Sequence, residues 1–340
     1  MFAWFERRID PYPDHPPSMP PPGLWRFVLH YSRGTLPWLV ALAIGSGLIA
    51  LIELALFNWL GTLVDQLADT PREAFWDRHG TGVIVMAVVL LVVMPALNTV
   101  TSLILHQSLM GNFPQRIRWQ AHRWLLRQSV GYFQDEFAGR IAQRLMQTAL
   151  AVREVSMKIM DVGSYVLIYF LGALALAASQ DWRLAIPFML WAAAYGLLLS
   201  YVVPRLGRVA QEQADARSAM TGRIVDSYTN IATVKLFSHS DREEAWMHQG
   251  MDRFLGTVHR QMRLSSLQDI VLNLLNVWLV ASVAGLGLWL WTQGLIAVGA
   301  VAIAVPLALR LLESRALWML GQAGPARRAF MDYVEQRGPP

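Results

Sequence analysis

The chain contains no cysteine in its 340 residues. Disulfides, thiolate zinc sites and cysteine nucleophiles are therefore excluded. Charge is scarce, with Asp, Glu, Lys and Arg making up only 16% of the chain. Lys158 and Lys235 are the only lysines, and neither follows a glycine. A phosphate-cradling loop of the Gly-Lys-Ser/Thr kind is thus missing. Neither an HExxH zinc helix nor a GxSxG nucleophile turn occurs. The histidines, among them His106, His122, His239, His248 and His259, do not pair at metal-ligand spacing. No catalytic residue, metal site or cofactor site is legible in this chain. The first residues do not read as a secretory leader, since Glu6, Arg7, Arg8 and Asp10 stand where an early apolar core belongs.

What is abundant is apolar sequence. Hydrophobic residues make up 54% of the chain, and the mean hydropathy is +0.34. Over this length that composition implies a multi-span membrane protein. About 20 apolar residues suffice for one crossing. Six runs qualify, at about 36–60, 83–105, 162–179, 184–203, 270–291 and 295–312. Ahead of them lies a proline-rich leader, 1–23, in which Pro16, Pro17, Pro20, Pro21 and Pro22 favour an extended, solvated chain. Residues 24–33 mix Trp25, Phe27 and Leu29 with Arg26 and Arg33, as in a helix lying in the membrane interface. Residues 313–340 read as a short cytosolic tail.

Two long polar segments, 106–160 and 205–268, interrupt the apolar runs. Both keep helical periodicity. In the first, Leu109, Phe113, Ile117 and Trp124 share a face, and Ile141, Leu145, Ala149, Val152 and Ile159 share another. In the second, Leu206, Val209, Ala216, Met220, Ile224, Tyr228 and Ile231 run outward, and Met247, Met251, Phe254, Val258 and Met262 return. Each segment thus reads as a pair of helical arms. Most of the basic charge lies in these segments, which places both arms and both termini in the cytosol. A basic balance is expected of a membrane protein with basic cytosolic loops, so nucleic acid is not implied. The fold class expected is an all-α membrane protein of six transmembrane helices with two long cytoplasmic helical arms.

Two sets of residues are candidates for function. Glu53, Asn98, Asn273 and Asn276 lie within apolar runs. An acid there must face protein or water, so these four either line a cavity or bond to neighbouring helices. The arm tips are the second set. Phe133, Asp135, Glu136, Phe137, Gly139 and Arg140 mark the first tip, and Thr229, Asn230, Ile231, Thr233 and Lys235 the second. Apolar knobs beside mixed charges suit docking on a soluble partner; packing of the arms on each other is the alternative.

The motifs resemble those of ABC exporter membrane domains. Tyr132 and Phe133, then Gly139, then Gln143 and Arg144 match the first-loop pattern of that family. Residues 222–237, ending in Val234, Lys235 and Phe237, are similar to its second-loop pattern, and Gly294 and Gly299 stand at the entry to the last span as in that family. The resemblance covers about 24–311. It implies a domain-swapped homodimer or heterodimer embedded in lipid in the bacterial inner membrane. It implies that both arm tips are coupling helices docked on nucleotide-binding domains, and that ATP and Mg are bound by those partner domains. It also implies an exported substrate: a lipid, an amphipathic drug or a peptide would suit an apolar cavity with one acid. The family's last span continues into a nucleotide-binding domain, whereas the sequence after Leu311 does not resemble one, so ATP hydrolysis is not expected of this chain alone. Two other readings stay open: a truncated remnant or membrane scaffold, and an ATP-independent carrier.

Overall fold

The computed structural model describes residues 2–14, 21, 23–135, 138–236 and 240–313. Among the described residues every regular element is helical. Pro16, Pro17, Pro20 and Pro22 of the expected leader, and the expected tail 314–340, lie outside them.

Helix α1 (Phe2–Glu6) is followed by α2 (Leu24–Ser32) and by the long α3 (Leu36–Asp69). Next comes a chain of helices: α4 (Phe75–Val88), α5 (Met94–Leu103) and α6 (Asn112–Leu125). Wide π turns at Val89–Val93 and Ile104–Leu109 link them. The first π turn directly precedes Pro95, which lacks an N–H and crowds the carbonyl one turn back. A wider turn absorbs that crowding. Short α7 (Val130–Asp135) and α8 (Ala138–Lys158) follow, then another π turn and α9 (Ser164–Gln180). Helix α10 (Trp182–Thr229) has 48 residues, α11 (Ile231–Leu236) has 6, and α12 (Ser240–Thr292) has 53. Helix α13 (Val298–Glu313) closes the described chain.

Five helical stretches are long and apolar enough to cross a membrane. They contain the first five runs read from the sequence. The sixth run differs: its helix begins at Val298 and not at Leu295, and it counts as a shorter apolar helix. Gly294 is the cause. It adopts φ +71°, a left-handed backbone that glycine tolerates, and ends α12 in a turn.

The chain forms two compact units, residues up to 189 with those from 279 onward, and residues 190–278. In the first unit α3 is central, with α9 and α13 packed along it. Small residues permit this closeness. A Cβ on Gly47 would lie 2.5 Å from Ile168 Cδ1, and one on Gly172 2.2 Å from Leu54 Cδ1. Gly61 and Gly299 face one another, since a Cβ on Gly299 would stand 2.3 Å from the Gly61 carbonyl oxygen. The paired positions show that α3 and α9 run parallel, while α3 and α13 run antiparallel. Asp65 Oδ1 accepts the Gly299 N–H at 2.7 Å and so caps the start of α13.

The first arm packs α6 on α8. Phe113, Ile117, Ala121 and Leu125 are buried on one side, Ile141, Ala149 and Val152 on the other. Trp124, expected on the inner face, is only half-buried; Ala121 and Leu125 fill that stripe.

The leader departs from the solvated chain expected of it. Ile9 is 2% exposed and joins a cluster with Phe27, Tyr31, Leu109, Phe113 and Ile117. The strap after α1 is tied to α6 by side chains that bond its backbone. Arg116 Nη1 donates to the Asp10 carbonyl at 2.7 Å, Arg123 Nη1 to the Pro13 carbonyl at 2.9 Å, and Trp119 Nε1 to the same carbonyl at 3.3 Å. Burial lowers the pKa of Arg116 from its ordinary value, an effect opposed by nearby Asp10.

In the second unit α10 and α12 run antiparallel. Trp191 Nε1 donates to Asn276 Oδ1 at 2.9 Å, and Arg260 pairs with Glu212 at 2.7 Å. Nearer the tip, Arg223 Nη1 donates to the Trp246 carbonyl at 2.5 Å, its guanidinium lying over the indole, and Ser227 bonds to Glu243. Of the stripe expected on the returning arm, Met247, Phe254 and Val258 are half-buried. Gly250, Thr257 and Gln268 are buried there, while Met251 and Met262 are exposed. Gly250 leaves room for Arg223, whose Cδ would stand 3.1 Å from an added Cβ.

Candidate functional site

The first arm tip is built by a cap. Helix α6 ends in a turn at 126–128, closed by Arg127 N–H to the Trp124 carbonyl. Ser129 Oγ then accepts the Tyr132 N–H at 3.4 Å, the position an N-cap serves, and α7 begins. Phe133 is exposed, and its ring meets Tyr132 edge to face at 5.3 Å. Gly139 is exposed at the start of α8. Glu136 and Phe137 lie outside the described residues, and so do the side chains of Asp135 and Arg140.

At the second tip one residue makes the corner. Asn230 sends both its backbone N–H and its side-chain Nδ2 to the Asp226 carbonyl, each at 3.0 Å, which ends α10. Its own carbonyl accepts the Val234 N–H at 3.1 Å and starts α11. Thr229, Asn230, Ile231, Thr233 and Lys235 are all exposed. Tyr228 is 72% exposed and Leu236 80%. Packing of the arms on each other therefore does not use these tip residues; the arginine bonds farther back, at 223 and 260, do that work. Exposed apolar side chains on a short helix are groups that a groove on another protein would bury.

The intramembrane candidates divide between the units. Glu53 and Asn98 belong to the first, Asn273 and Asn276 to the second. Glu53 is buried and fully engaged. Arg310 of α13 grips it with two bonds, Nη2 to Oε1 at 2.9 Å and Nε to Oε2 at 3.2 Å, and Tyr165 of α9 donates to Oε2 at 2.5 Å. One carboxylate thus joins α3, α9 and α13. Asn98 Nδ2 bonds back to the Met94 carbonyl of its own helix at 2.9 Å, while Asn276 takes the Trp191 indole and Asn273 is exposed.

Arg310 and Tyr165 were missed by reading the sequence. The signal was available: an arginine inside the last apolar run is as costly as an acid inside the first, and each calls for the other. Ser46 and Asp161 form a further polar pair, with Ser46 Oγ donating to Asp161 Oδ1 at 2.5 Å. Among the described residues no group of His, Asp and Glu could hold a metal ion.

Comparison with known proteins places this arrangement. Residues 38–311 match the ABC transporter transmembrane region. A curated relative, an "Uncharacterized ABC transporter ATP-binding protein" of Haemophilus influenzae, is 43% identical over 324 residues. The alignment takes in 95% of this chain and 52% of that protein, so the chain spans about half the relative's length. In overall fold the chain is similar to a bacterial Atm1-family ABC exporter solved with ATP bound, at TM-score 0.69 and 15% identity. That match covers 90% of this chain and 53% of the other.

Proposed function

The chain belongs to the family of ABC transporter transmembrane regions, and from that premise we propose that it forms one half of an exporter's translocation pathway, driven by ATP hydrolysis on nucleotide-binding domains that it contacts through its two arm tips. The observation that carries this reading is the second tip. A 48-residue helix and a 53-residue helix run from apolar to polar sequence and meet at α11, where every residue but Val234 is exposed. At about 1.5 Å per residue these helices are about 70–80 Å long, more than twice the hydrocarbon thickness. They therefore reach well beyond the membrane as stiff levers.

In this reading Phe133, Asp135, Glu136, Phe137, Gly139 and Arg140 form the first coupling region, and Thr229, Asn230, Ile231, Thr233 and Lys235 the second. ATP and Mg belong to the partner domains. Six crossings, counting α13, put both termini and both arms in the cytosol of a bacterial inner membrane. The parallel pairing of α3 with α9 and the antiparallel pairing of α3 with α13 agree with that alternation. Two copies, or this chain and a related one, exchange the unit 190–278 to close the pathway; that these residues form a compact unit of their own supports the exchange. Asn98, Asn273 and Asn276 line the pathway. Glu53 contributes to its wall as half of an ion pair in which Arg310 is the more exposed partner, 37% against 10%.

The test uses the chain's lack of cysteine, since any introduced thiol is unique. Phe133→Cys and Thr233→Cys variants are reconstituted with a nucleotide-binding domain, for instance from the Haemophilus relative, and treated with a short cross-linker. Adducts at both positions, together with ATP turnover that requires the added domain, are expected. Turnover by the chain alone, or no adduct at either tip, refutes the proposal.

A further inference from the structure

The leader has two faces. Phe5 and Ile9 turn inward, onto the cluster that holds Leu109 and Phe113. Phe2 and Trp4 turn outward, at 56% and 52% exposure. Helix α1 thus packs Phe5 inward and leaves two large aromatics uncovered on its other side.

The depth of α1 relative to the second span is fixed by two bonds. Ser108 Oγ donates to the Phe5 carbonyl at 3.0 Å, and Asn112 Nδ2 to the Glu6 carbonyl at 2.6 Å. The apolar run of that span ends at Leu105. Ser108 and Asn112 lie three and seven residues farther on, or about 5–10 Å along a helix axis. The polar headgroup layer occupies about the first 5–8 Å outside the hydrocarbon on each side. Helix α1 is therefore held at headgroup level, where aromatic rings with one polar edge are favoured. The Arg8 guanidinium lies over the Trp4 ring, 3.6 Å from its centroid, which keeps a cation beside the ring at the same level. Helix α2 packs Phe27 and Tyr31 into the same cluster and, like α1, leaves large apolar side chains exposed, Trp25 and Leu29.

We propose that α1 is an additional membrane anchor: Phe2 and Trp4 insert into the lipid headgroup layer of the chain's own bilayer, while the strap behind them clasps the cytosolic arm α6. The occupant of this face is lipid. The strap then ties the membrane surface to an arm: Arg116, Trp119 and Arg123 hold residues 10–13 at one end, and the aromatics hold lipid at the other.

Spin labels at Phe2→Cys and Trp4→Cys test this in vesicles of phosphatidylethanolamine and phosphatidylglycerol. Arg127→Cys, at the arm tip, is the aqueous reference. Oxygen accessibility relative to a water-soluble nickel complex should be several-fold higher at 2 and 4 than at 127. An equal ratio at all three sites overturns the proposal. Exclusion of both reagents from 2 and 4 also overturns it, since protein would then cover the face. An unlabelled check avoids any fault of the labelled variants. The fluorescence difference between the unaltered chain and Trp4→Phe should be quenched by brominated acyl chains, and an unquenched difference refutes insertion.

Discussion

Arg310 and Glu53 meet side-on, Nη2 to Oε1 at 2.9 Å and Nε to Oε2 at 3.2 Å, across 257 positions of sequence. The geometry is a bidentate fork that lysine cannot reproduce. Replacing Arg310 by Met leaves the Glu53 carboxylate with the Tyr165 hydroxyl but no counter-charge; because Arg310 is partly exposed, the loss should fall below about 3–5 kcal/mol, the cost of breaking a fully buried pair. Thermal unfolding in detergent should show that loss for Arg310→Met and a smaller one for Arg310→Lys. The double variant Glu53→Gln with Arg310→Met should recover most of the loss, because no charge remains to desolvate.

The meeting of Gly61 and Gly299 gives a steric prediction. A methyl on Gly299 would come within 2.2 Å of Asp65 Oδ2 and 2.3 Å of the Gly61 carbonyl oxygen, and that backbone atom cannot swing away. Gly299→Ala should destabilise by about 1–3 kcal/mol, as overpacking does. Gly82→Ala is the control, since nothing stands within 4 Å of its added Cβ. Melting temperatures of the two variants decide the matter.

Arg123 and Trp119 share one acceptor, the Pro13 carbonyl. Hydrogen bonds from charged donors contribute about 1.5–3 kcal/mol each and neutral ones about 1 kcal/mol. The double variant Trp119→Phe with Arg123→Met should therefore free the strap without unfolding the arm. Limited proteolysis should then cut within residues 10–14 faster than in the unaltered chain, while the global melting temperature barely moves.

At the arm tips stability and coupling should separate. Phe133→Ala and Ile231→Ser remove exposed apolar groups, and surface changes of this kind usually stay within about 0.5 kcal/mol. Both variants should melt with the unaltered chain. Each should nevertheless lose most of the stimulation that the chain gives to the ATPase of an added nucleotide-binding domain.

Much of this fold was legible because apolar runs and helical periodicity are local signals. The first five crossings, both arms and the positions of both tips follow from them. The sixth helix starts three residues later than its apolar run, because Leu295, Ile296 and Ala297 are apolar and carry no signal that they stay in the turn that follows Gly294. Contacts that join distant segments were less accessible. Glu53 announced that it needed a partner but not which one. On the returning arm Met247, Phe254 and Val258 of the expected stripe are half-buried but Met251 and Met262 are exposed, because Gly250 and Thr257 take buried positions beside them and polar bonds such as Arg260 with Glu212 join α12 to α10. The prolines from Pro16 onward dominate the leader's sequence, and the docked part is the stretch before them, where Phe5, Ile9 and Pro13 mark the inner side.

Helices α3 and α13 are fastened twice, by Glu53 with Arg310 and by Asp65 with Gly299. Twelve residues of α3 separate the rivets, about 18 Å of helix. Two helices joined at a single point can slide or scissor; joined at two, they resist shear and turn as one beam. A displacement applied at one end of this beam must arrive at the other as rotation of the pair.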